Sequence, residues 1–365
     1  MAAMSSTPAA PRPDAGTHPD TATDDPVRPL VSVVMPILDE ERHLADAVAM
    51  VLRQDWPGPL EVVLALGPSS DRTDEVAAGL AAADPRVRLV RNPTGRTPDG
   101  LNAAIAGSRG EVVVRVDGHA EIPAGYVRAA VAELERTGAD NVGGTMDARG
   151  TTPTERAVAA AMRSPLGVGS SRFHTGGGAG AVDTVYLGCF RRSALERVGG
   201  YDPRFTRTQD WELNHRIRAT GGTVWFTPDL VVTYRPRATL RALARQYRDY
   251  GRWRRVVAST HDGTLNPRYL APPAMVLGTG AATLLGLLAW RPALAVPAAY
   301  LAAVGAGGAA ITRGEPLRTR LLAGPVLATM HWSWGWGFLT SRPGRLLAPA
   351  GRPAPGLRGA GEAPR

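Results

Sequence analysis

The first part of the chain alternates between short apolar runs and amphipathic stretches. Four runs rich in valine and leucine are predicted strands, at residues 31–36, 60–66, 87–90 and 111–116. Because their apolar residues are continuous rather than alternating, these strands are expected to be buried on both faces. Helical spacing follows at residues 40–53, 73–83 and 100–107. Ser70 or Asp71 stands where a cap of the second helix would be. The alternation indicates parallel βαβ units and predicts one α/β domain over residues 30–235, with a mostly parallel sheet flanked by helices.

The last third of the chain contains long uncharged segments instead of short apolar runs. Three uncharged windows lie between Arg268 and Arg291, between Arg291 and Arg313, and between Arg320 and Arg342. Each has roughly 20 residues, the length that a helix needs to cross a hydrocarbon core. We predict membrane helices over residues 269–341, with the third segment re-entrant or in-plane, because three full spans would place the arginine-bearing tail outside. The alternative is a set of buried helices in a soluble domain.

Three further segments flank these two regions. Residues 236–268 combine arginines with leucine, tyrosine and tryptophan, which predicts basic amphipathic helices at a membrane interface or, alternatively, a solvated face of a globular helix. Residues 1–29 are rich in Pro, Ala, Thr and Asp and lack the apolar segment of a signal peptide, so a disordered leader is expected. Residues 342–365 are expected to form a disordered tail.

Composition narrows the classes of function. The formal charge of +9 comes from arginine alone, since the chain has no lysine. A basic balance suits an anionic substrate or an anionic membrane surface. The arginines are dispersed without an aromatic-basic motif, so we expect no nucleic-acid partner. The single Cys189 excludes an internal disulfide, which fits a cytosolic catalytic part. Neither a Gly-x-Gly-x-x-Gly nor a P-loop motif occurs, which argues against an NAD enzyme and a P-loop enzyme.

Candidate chemistry lies at the end of the fourth predicted strand, where Asp117-Gly118-His119 follows the apolar run. Ligands of open α/β sheets bind at the carboxyl ends of the strands. In extended backbone, Asp117 and His119 would point to the same side. A carboxylate and an imidazole so placed could hold a divalent cation against a phosphate-bearing substrate. The alternative is a strand-ending turn in which the aspartate satisfies loop amides.

Five short motifs in a fixed order resemble those of the family 2 inverting glycosyltransferases, which have the GT-A fold. Residues 33–41 resemble the opening strand and Pro-x-x-Asn-Glu-Glu turn of that family, with Asp in place of Asn. Residues 69–73 resemble its Ser-Thr-Asp-x-Thr segment, and residues 96–104 its nucleotide-facing Gly-x-x-x-Asn region. The sequence Asp117-Gly118-His119 falls at the Asp-x-Asp position, and its spelling resembles the succinoglycan and exopolysaccharide-building branch.

The fifth motif lies in the half of the family domain that faces the acceptor. Residues 183–205 lead into Gln-Asp-Trp-Glu-Leu at 209–213, which resembles Glu-Asp-x-Glu-Leu. Two departures stand out: residues 66–68 are Leu-Gly-Pro where the family has Asp-Asp-Gly, and Gln209 replaces Glu. Residues 249–253 keep the Arg-Trp of the processive Gln-x-x-Arg-Trp motif but lack its Gln, which favours transfer of a single sugar.

The resemblance implies roles for particular residues. Asp210 would be the catalytic base, and Asp117 with His119 would hold the metal ion, Mn²⁺ or Mg²⁺. The donor, a nucleoside-diphosphate sugar, would be contacted by Pro36, Glu40, Asp71, Arg96, Asn102, Asp117, Arg252 and Trp253.

The sequence thus predicts an enzyme at the cell membrane, with its catalytic domain facing the cytoplasm and a lipid-linked or saccharide acceptor. One alternative is a non-catalytic protein of the same fold in a polysaccharide assembly complex. The other is a nucleotidyltransferase, which the lack of a glycine-rich phosphate loop after the first strand disfavours.

Overall fold

A computed structural model describes residues 28–347 of the chain, so the predicted leader lies outside the described residues except for its last two positions, and the predicted tail except for residues 342–347. The strands are β1 Val31–Ile37, β2 Leu60–Leu66, β3 Val87–Arg91, β4 Val112–Arg115, β5 Asn141–Ala148, β6 Gly180–Ala181, β7 Tyr186–Arg191 and β8 Val224–Tyr234. The α-helices are α1 Leu44–Leu52, α2 Thr73–Ala83, α3 Thr97–Gly107, α4 Tyr126–Thr137, α5 Pro153–Met162, α6 Pro165–Val168, α7 Arg172–Thr175, α8 Arg192–Val198, α9 Gln209–Ala219, α10 Leu240–Thr260, α11 Ala271–Leu288, α12 Ala295–Ile311, α13 Leu317–Leu339 and α14 Pro343–Leu346. Short 3-10 helices, Pro267–Leu270 and Arg291–Leu294, precede α11 and α12.

The strands form one mixed sheet in the order β3-β2-β1-β4-β7-β5-β8-β6. The first four neighbours are parallel, as the alternation of strands and helices predicts. Strand β7 is antiparallel to both β4 and β5, and β6 is antiparallel to β8. The strand numbers fall from β3 to β1 and then rise to β4, so the strand order reverses at β1. Open α/β sheets bind ligands at such a switch point.

Both faces of the sheet are covered. Val33 and Met35 pack on one side against helices that include α1 and α4, and Val34 packs on the other side against α3 and α9. All three side chains are essentially inaccessible to solvent. A strand buried on both faces needs apolar residues at consecutive positions, which explains the unbroken runs of the sequence.

Most predicted boundaries agree with the structure to within one to three residues, but α1 begins four residues later than predicted because residues 38–43 form a turn. This turn binds the loop after β2 from both sides. The Asp39 carboxylate accepts the Ser70 N–H at 2.7 Å, and the Glu40 N–H donates to Thr73 Oγ1 at 2.7 Å. Asp39 adopts a positive φ of 55°. We call this pair of loops, residues 38–43 and 66–73, the turn latch.

The C-terminal helices divide into two groups. Helices α11 and α12, each with its preceding 3-10 turn, are long and apolar enough to cross a membrane, and within residues 28–347 they are the two that meet this test. Helix α13, which covers the third uncharged window, instead packs against α5 and α10 through side chains that include Val326, Leu327 and Met330. The basic segment forms mainly α10, whose apolar side is buried on α13 and the α/β domain.

Candidate active site

A cavity of about 1130 Å³ opens at the carboxyl ends of β1 and β4. One end is lined by residues of the sheet and its loops, among them Pro36, Glu40 and Asp117. The other end is lined by α10, α11 and α13. The cavity therefore reaches from the switch point of the sheet to the apolar helices.

Arg115, the last residue of β4, connects two carboxylates inside this cavity. Its side chain is only 5% exposed, and its Nε lies 2.9 Å from Asp117 Oδ1. Its Nη1 contacts the carboxylate of Asp210, which stands in the first turn of α9. Burial alone would lower the pKa of the Arg115 guanidinium, but the charges of Asp117 and Asp210 outweigh this effect and hold that pKa well above its usual value.

Asp210 has the protonation behaviour of a base that works near neutral pH. Burial raises the pKa of its carboxyl to about 6, and the charge of Asp117 adds to this effect while Arg115 opposes it. A general base is most efficient when its pKa lies close to the working pH. The carboxylate also lines the cavity, so a hydroxyl bound there can reach it.

The predicted extended geometry of residues 117–119 is wrong. Strand β4 ends at Arg115, and the chain then turns, with the Ala120 N–H donating to the Asp117 carbonyl at 2.9 Å. The Asp117 carboxylate pairs with Arg115 rather than with loop amides, and both Asp117 and His119 still line the cavity. The turn passes close to the end of β1, since a Cβ at Gly118 would lie about 3.0 Å from the Ile37 side chain.

His119 is held by a second carboxylate. Its Nδ1 lies 2.6 Å from Glu40 Oε1, and this hydrogen bond raises the pKa of the imidazole. A histidine that gives its Nδ1 proton to a carboxylate keeps the Nε2 lone pair for a metal ion, as in carboxylate–histidine–metal arrangements. Within residues 28–347 no three His, Cys, Asp or Glu side chains form a metal-binding group. Mg²⁺-type sites commonly use one or two protein ligands and take the remaining oxygens from substrate phosphates and water, which suits the pair Asp117 and His119.

The structure brings only part of the predicted donor site together. Pro36, Glu40 and Asp117 line the cavity. Five predicted donor contacts are not among its lining residues: Asp71, Arg96, Asn102, Arg252 and Trp253. Asn102 is occupied elsewhere, because its amide donates to the Tyr201 carbonyl at 2.7 Å and accepts the Tyr201 N–H at 2.8 Å.

Asp71 and Arg96 also have local partners. The Asp71 carboxylate accepts the Thr73 N–H at 3.0 Å at the start of α2, so it serves the turn latch. Hydrogen bonding to Thr73 lowers the pKa of this carboxyl. Arg96 precedes α3 and pairs with Asp99 at 2.8 Å.

Arg252 and Trp253 lie on sides of α10 that do not face the cavity. Trp253 is 5% exposed and packs with Phe205 and Val257 in a small apolar cluster. Arg252 pairs with Asp249 at 3.4 Å. The glycine-rich loop at 174–180 borders the cavity through His174.

Sequence reasoning missed Arg115. The available signal is a single charged residue inside the apolar run 112–116, two positions before the candidate metal ligand Asp117. Such a residue is buried with the strand and needs a partner of opposite charge. The sequence does not reveal that the second partner is Asp210, which lies 95 positions away.

Comparison with known proteins agrees with this fold. The family model described as Glycosyl transferase family 2 matches residues 32–199. The "Succinoglycan biosynthesis protein ExoA" of Rhizobium meliloti (strain 1021) is 32% identical over 310 residues, which cover 84% of this chain and 93% of that protein. A dolichyl N-acetyl-alpha-D-glucosaminyl phosphate 3-beta-D-2,3-diacetamido-2,3-dideoxy-beta-D-glucuronosyltransferase of Methanococcus voltae is 20% identical over 229 residues, covering 60% of this chain and 71% of its own.

Among solved structures, the mannosyltransferase PcManGT from Pyrobaculum calidifontis, in complex with GDP-Man and Mn2+, matches with a TM-score of 0.56 and 23% identity. The match covers 87% of this chain and 90% of that one, and it shows the shared fold. The sheet, its switch-point cavity and these matches define a glycosyltransferase of the GT-A fold. The chain belongs to glycosyltransferase family 2. The predictions of the family, the fold class and an enzyme are thereby confirmed.

Proposed function

We propose that this protein is a membrane-anchored inverting glycosyltransferase that moves one sugar from a nucleoside-diphosphate sugar to a lipid-linked or surface-polysaccharide acceptor. The observation that carries the proposal is the pairing of Arg115 with both Asp117 and Asp210 in one cavity at the switch point of the sheet. The relative from Rhizobium meliloti is a succinoglycan biosynthesis protein, which supports a polysaccharide precursor as the acceptor.

The donor binds, in this proposal, at the sheet end of the cavity. Asp117 and His119 would hold a divalent ion, Mn²⁺ or Mg²⁺, and Glu40 would fix the orientation of the His119 ring. When bound, the ion neutralises the negative charge that develops on the leaving diphosphate. The similar PcManGT structure contains GDP-Man and Mn2+, which supports this class of donor and ion.

Asp210 acts as the base. It accepts the proton of the acceptor hydroxyl while that oxygen attacks the anomeric carbon from the face opposite the diphosphate, so the configuration inverts. Its raised pKa gives the carboxylate the basicity for this step at neutral pH. Arg115 holds Asp210 and Asp117 in fixed relative positions, which lowers the entropy cost of bringing acceptor and donor together.

Membrane anchoring would come from α11 and α12. If these helices form a hairpin in the bilayer, the arginine-rich connection around Arg313, Arg318 and Arg320 lies on the same side as the catalytic domain. The positive-inside rule then places that side in the cytoplasm, where nucleotide sugars are made.

The test is a screen of nucleotide sugars with detergent-solubilised full-length protein, with and without Mn²⁺, that measures release of the nucleoside diphosphate. For the donor that works, Asp210→Asn should lower kcat by roughly 10²–10⁴-fold, because proton abstraction is lost. Asp229→Asn is the matched control, since Asp229 is an exposed aspartate outside the cavity.

Full activity of Asp210→Asn would refute the assigned base. Failure of the wild-type protein to release a nucleoside diphosphate from any nucleotide sugar in the presence of Mn²⁺ would refute the proposal and favour a non-catalytic partner in a polysaccharide assembly complex.

A further inference from the structure

The helical half of the cavity is strongly basic. Its arginines include Arg245 and Arg254 of α10 and Arg268 of the 3-10 helix before α11, and among the described residues that line this half Asp249 is the one carboxylate. Asp249 itself pairs with Arg252 at 3.4 Å outside the cavity. A concave surface with an excess of one charge attracts a ligand of the opposite charge. We call this half of the cavity the arginine chamber.

The guanidinium of Arg254 is held in place by two aromatic rings of the chamber. Its guanidinium carbon lies 4.6 Å from the centre of the Trp211 ring and 4.2 Å from the centre of the Tyr269 ring. Contact with two aromatic rings restricts the orientation of the planar group before any ligand arrives. The rings stabilise the charge, but they do not supply strong hydrogen-bond acceptors for its N–H groups.

One nitrogen of this guanidinium lacks a partner. Arg254 Nη1 is buried, and in the part of the chain that the structure describes it makes no hydrogen bond. Burial lowers the pKa of this arginine. A buried charged donor without an acceptor destabilises the protein, and an anion bound here would remove that cost.

The position of Arg254 indicates which substrate would carry this anion. Arg254 reaches the site from α10 and contacts Trp211, the residue next to the proposed base Asp210, whereas Asp117 reaches it from β4. The arginine therefore serves the neighbourhood of the attacking hydroxyl rather than the metal end of the cavity.

The part of the lining that α11 and α13 supply is mostly apolar. It includes Pro272 and Met275 of α11 and Met330 and Trp334 of α13, beside the polar His331. Helix α11 is one of the two candidate membrane spans. A ligand that matches this lining has a hydroxyl near Asp210, an anionic group at Arg254 and a hydrocarbon chain toward α11 and α13.

We propose that Arg254 is the binding site for the phosphate of a lipid-linked acceptor, whose hydrocarbon chain lies between α11 and α13. This proposal rests on the proposed function, because it assumes that a sugar is transferred at Asp210. It specifies the acceptor as a phosphate ester carried on a lipid.

The test measures binding of farnesyl diphosphate to the full-length protein in detergent by equilibrium dialysis, with EDTA present so that no divalent ion recruits the diphosphate to Asp117. Farnesol, which has the chain alone, and inorganic pyrophosphate, which has the anion alone, are the comparison probes. We expect farnesyl diphosphate to bind about tenfold or more tightly than either, since anion and chain contribute together.

Arg254→Gln should weaken farnesyl diphosphate binding on the order of tenfold, the loss expected for one charge-assisted hydrogen bond. The affinity of Arg254→Lys for farnesyl diphosphate should lie between those of the wild type and Arg254→Gln, because lysine keeps the charge but lacks the planar guanidinium. The matched control is Arg248→Gln, which removes an exposed arginine of the same helix that does not line the cavity. Its affinity should stay within about twofold of the wild-type value.

Equal affinities of wild type, Arg254→Gln and Arg254→Lys would overturn the proposal. Equally tight binding of farnesol would show that the chamber does not recognise phosphate, and equally tight binding of pyrophosphate would show a site for a free anion. Thermal unfolding of each variant distinguishes a lost contact from a lost fold. The binding assay needs no turnover, so absence of donor hydrolysis in the wild type would refute the proposed function while the result for Arg254 stands.

Discussion

At the scale of single residues, the candidate active site couples the carboxylates of Asp117 and Asp210 through the buried guanidinium of Arg115. Two carboxylates that share one cation influence the protonation of each other. Removal of the cation leaves two negative groups near one another in a poorly solvated place, which favours the protonated form of one of them. The protonation of Asp210, the proposed base, therefore depends on a residue that need not touch the substrate.

This coupling predicts a pH profile. Because the pKa of Asp210 is about 6 and the base must be deprotonated, kcat/KM of the wild type should be constant above this pH and fall below it, by about tenfold for each further pH unit. In Arg115→Met the pKa of Asp210 should rise, since Arg115 lowers it in the folded protein. The acid limb should then move toward neutral pH, with a loss of roughly tenfold or more in activity at pH 7.

The measurement is kcat/KM of donor hydrolysis between pH 5 and 9 for both proteins. Arg128→Met is the control, because Arg128 forms an exposed pair with Asp55 away from the cavity. An acid limb at the same pH in wild type and Arg115→Met would contradict the coupling.

Residue identity alone predicted part of this site. Asp117 and Asp210 stand out in the sequence because each occupies a recognisable place in an ordered set of motifs. Asn102 occupies such a place too, yet both of its amide hydrogen bonds go to the backbone of Tyr201. A motif gives the type of side chain and not its partner, since the partner is fixed by how distant segments pack.

At the scale of secondary-structure elements, the catalytic domain is joined to the helical region by a close crossing of α10 and α13. A Cβ on Gly251 would lie 1.9 Å from the Trp334 carbonyl oxygen, and one on Gly337 would lie 2.1 Å from the Arg248 carbonyl oxygen. Both clashes are with backbone, which side-chain rotation cannot relieve. The two helices can approach this closely because each has a glycine where it meets the other.

We therefore expect Gly251→Ala to push α10 away from α13 and to destabilise the protein by about 1–3 kcal/mol, as overpacking does. Gly278→Ala is the matched control: Gly278 is also inside a helix, and an added Cβ meets no atom within 4 Å. It should be neutral or stabilise by about 0.5–1 kcal/mol. Thermal unfolding in detergent compares the two, and equal midpoints would show that the crossing is not tight.

Local patterns predicted the elements better than their arrangement. The apolar runs and helical spacings located β1 to β4 and α1 to α3, since these elements follow from periodicity. Strand β7 lies between β4 and β5 and is antiparallel to both. The local sequence pattern does not indicate the direction of a strand relative to its neighbours. This direction depends on which edges remain open after the first four strands have paired, which is a property of the whole sheet.

At the scale of the whole molecule, α11 and α12 expose large apolar side chains. Leu287 is 69% exposed and Leu288 is 83% exposed, and Leu301 on α12 is 62% exposed. Water disfavours such a surface, whereas a bilayer covers it. Together with the basic chamber beside α11, this surface is consistent with a catalytic domain seated on a membrane.

Cysteine accessibility can test the orientation, because the chain has one native cysteine, Cys189, and it is buried. We expect a membrane-impermeant maleimide to label Arg291→Cys, at the connection of α11 and α12, on intact cells. It should label Arg318→Cys, in the first turn of α13, only after permeabilisation, since the proposed topology places that end on the cytoplasmic side.

Wild-type protein, which should remain unlabelled in both conditions, is the control. The reverse pattern, with Arg318→Cys labelled on intact cells, would place the catalytic domain outside the cytoplasm.

The turn latch has a consequence for exchanging donor specificity between relatives. Each of its two loops donates to and accepts from the other: the Ser70 N–H binds the Asp39 carboxylate, while the Glu40 N–H binds Thr73 and the Glu41 N–H binds Asp71. A chimera that replaces residues 66–73 alone with a loop lacking Asp71 or Thr73 would leave the N–H groups of Glu40 and Glu41 without these acceptors. The two loops of the turn latch should therefore be exchanged together in any chimera.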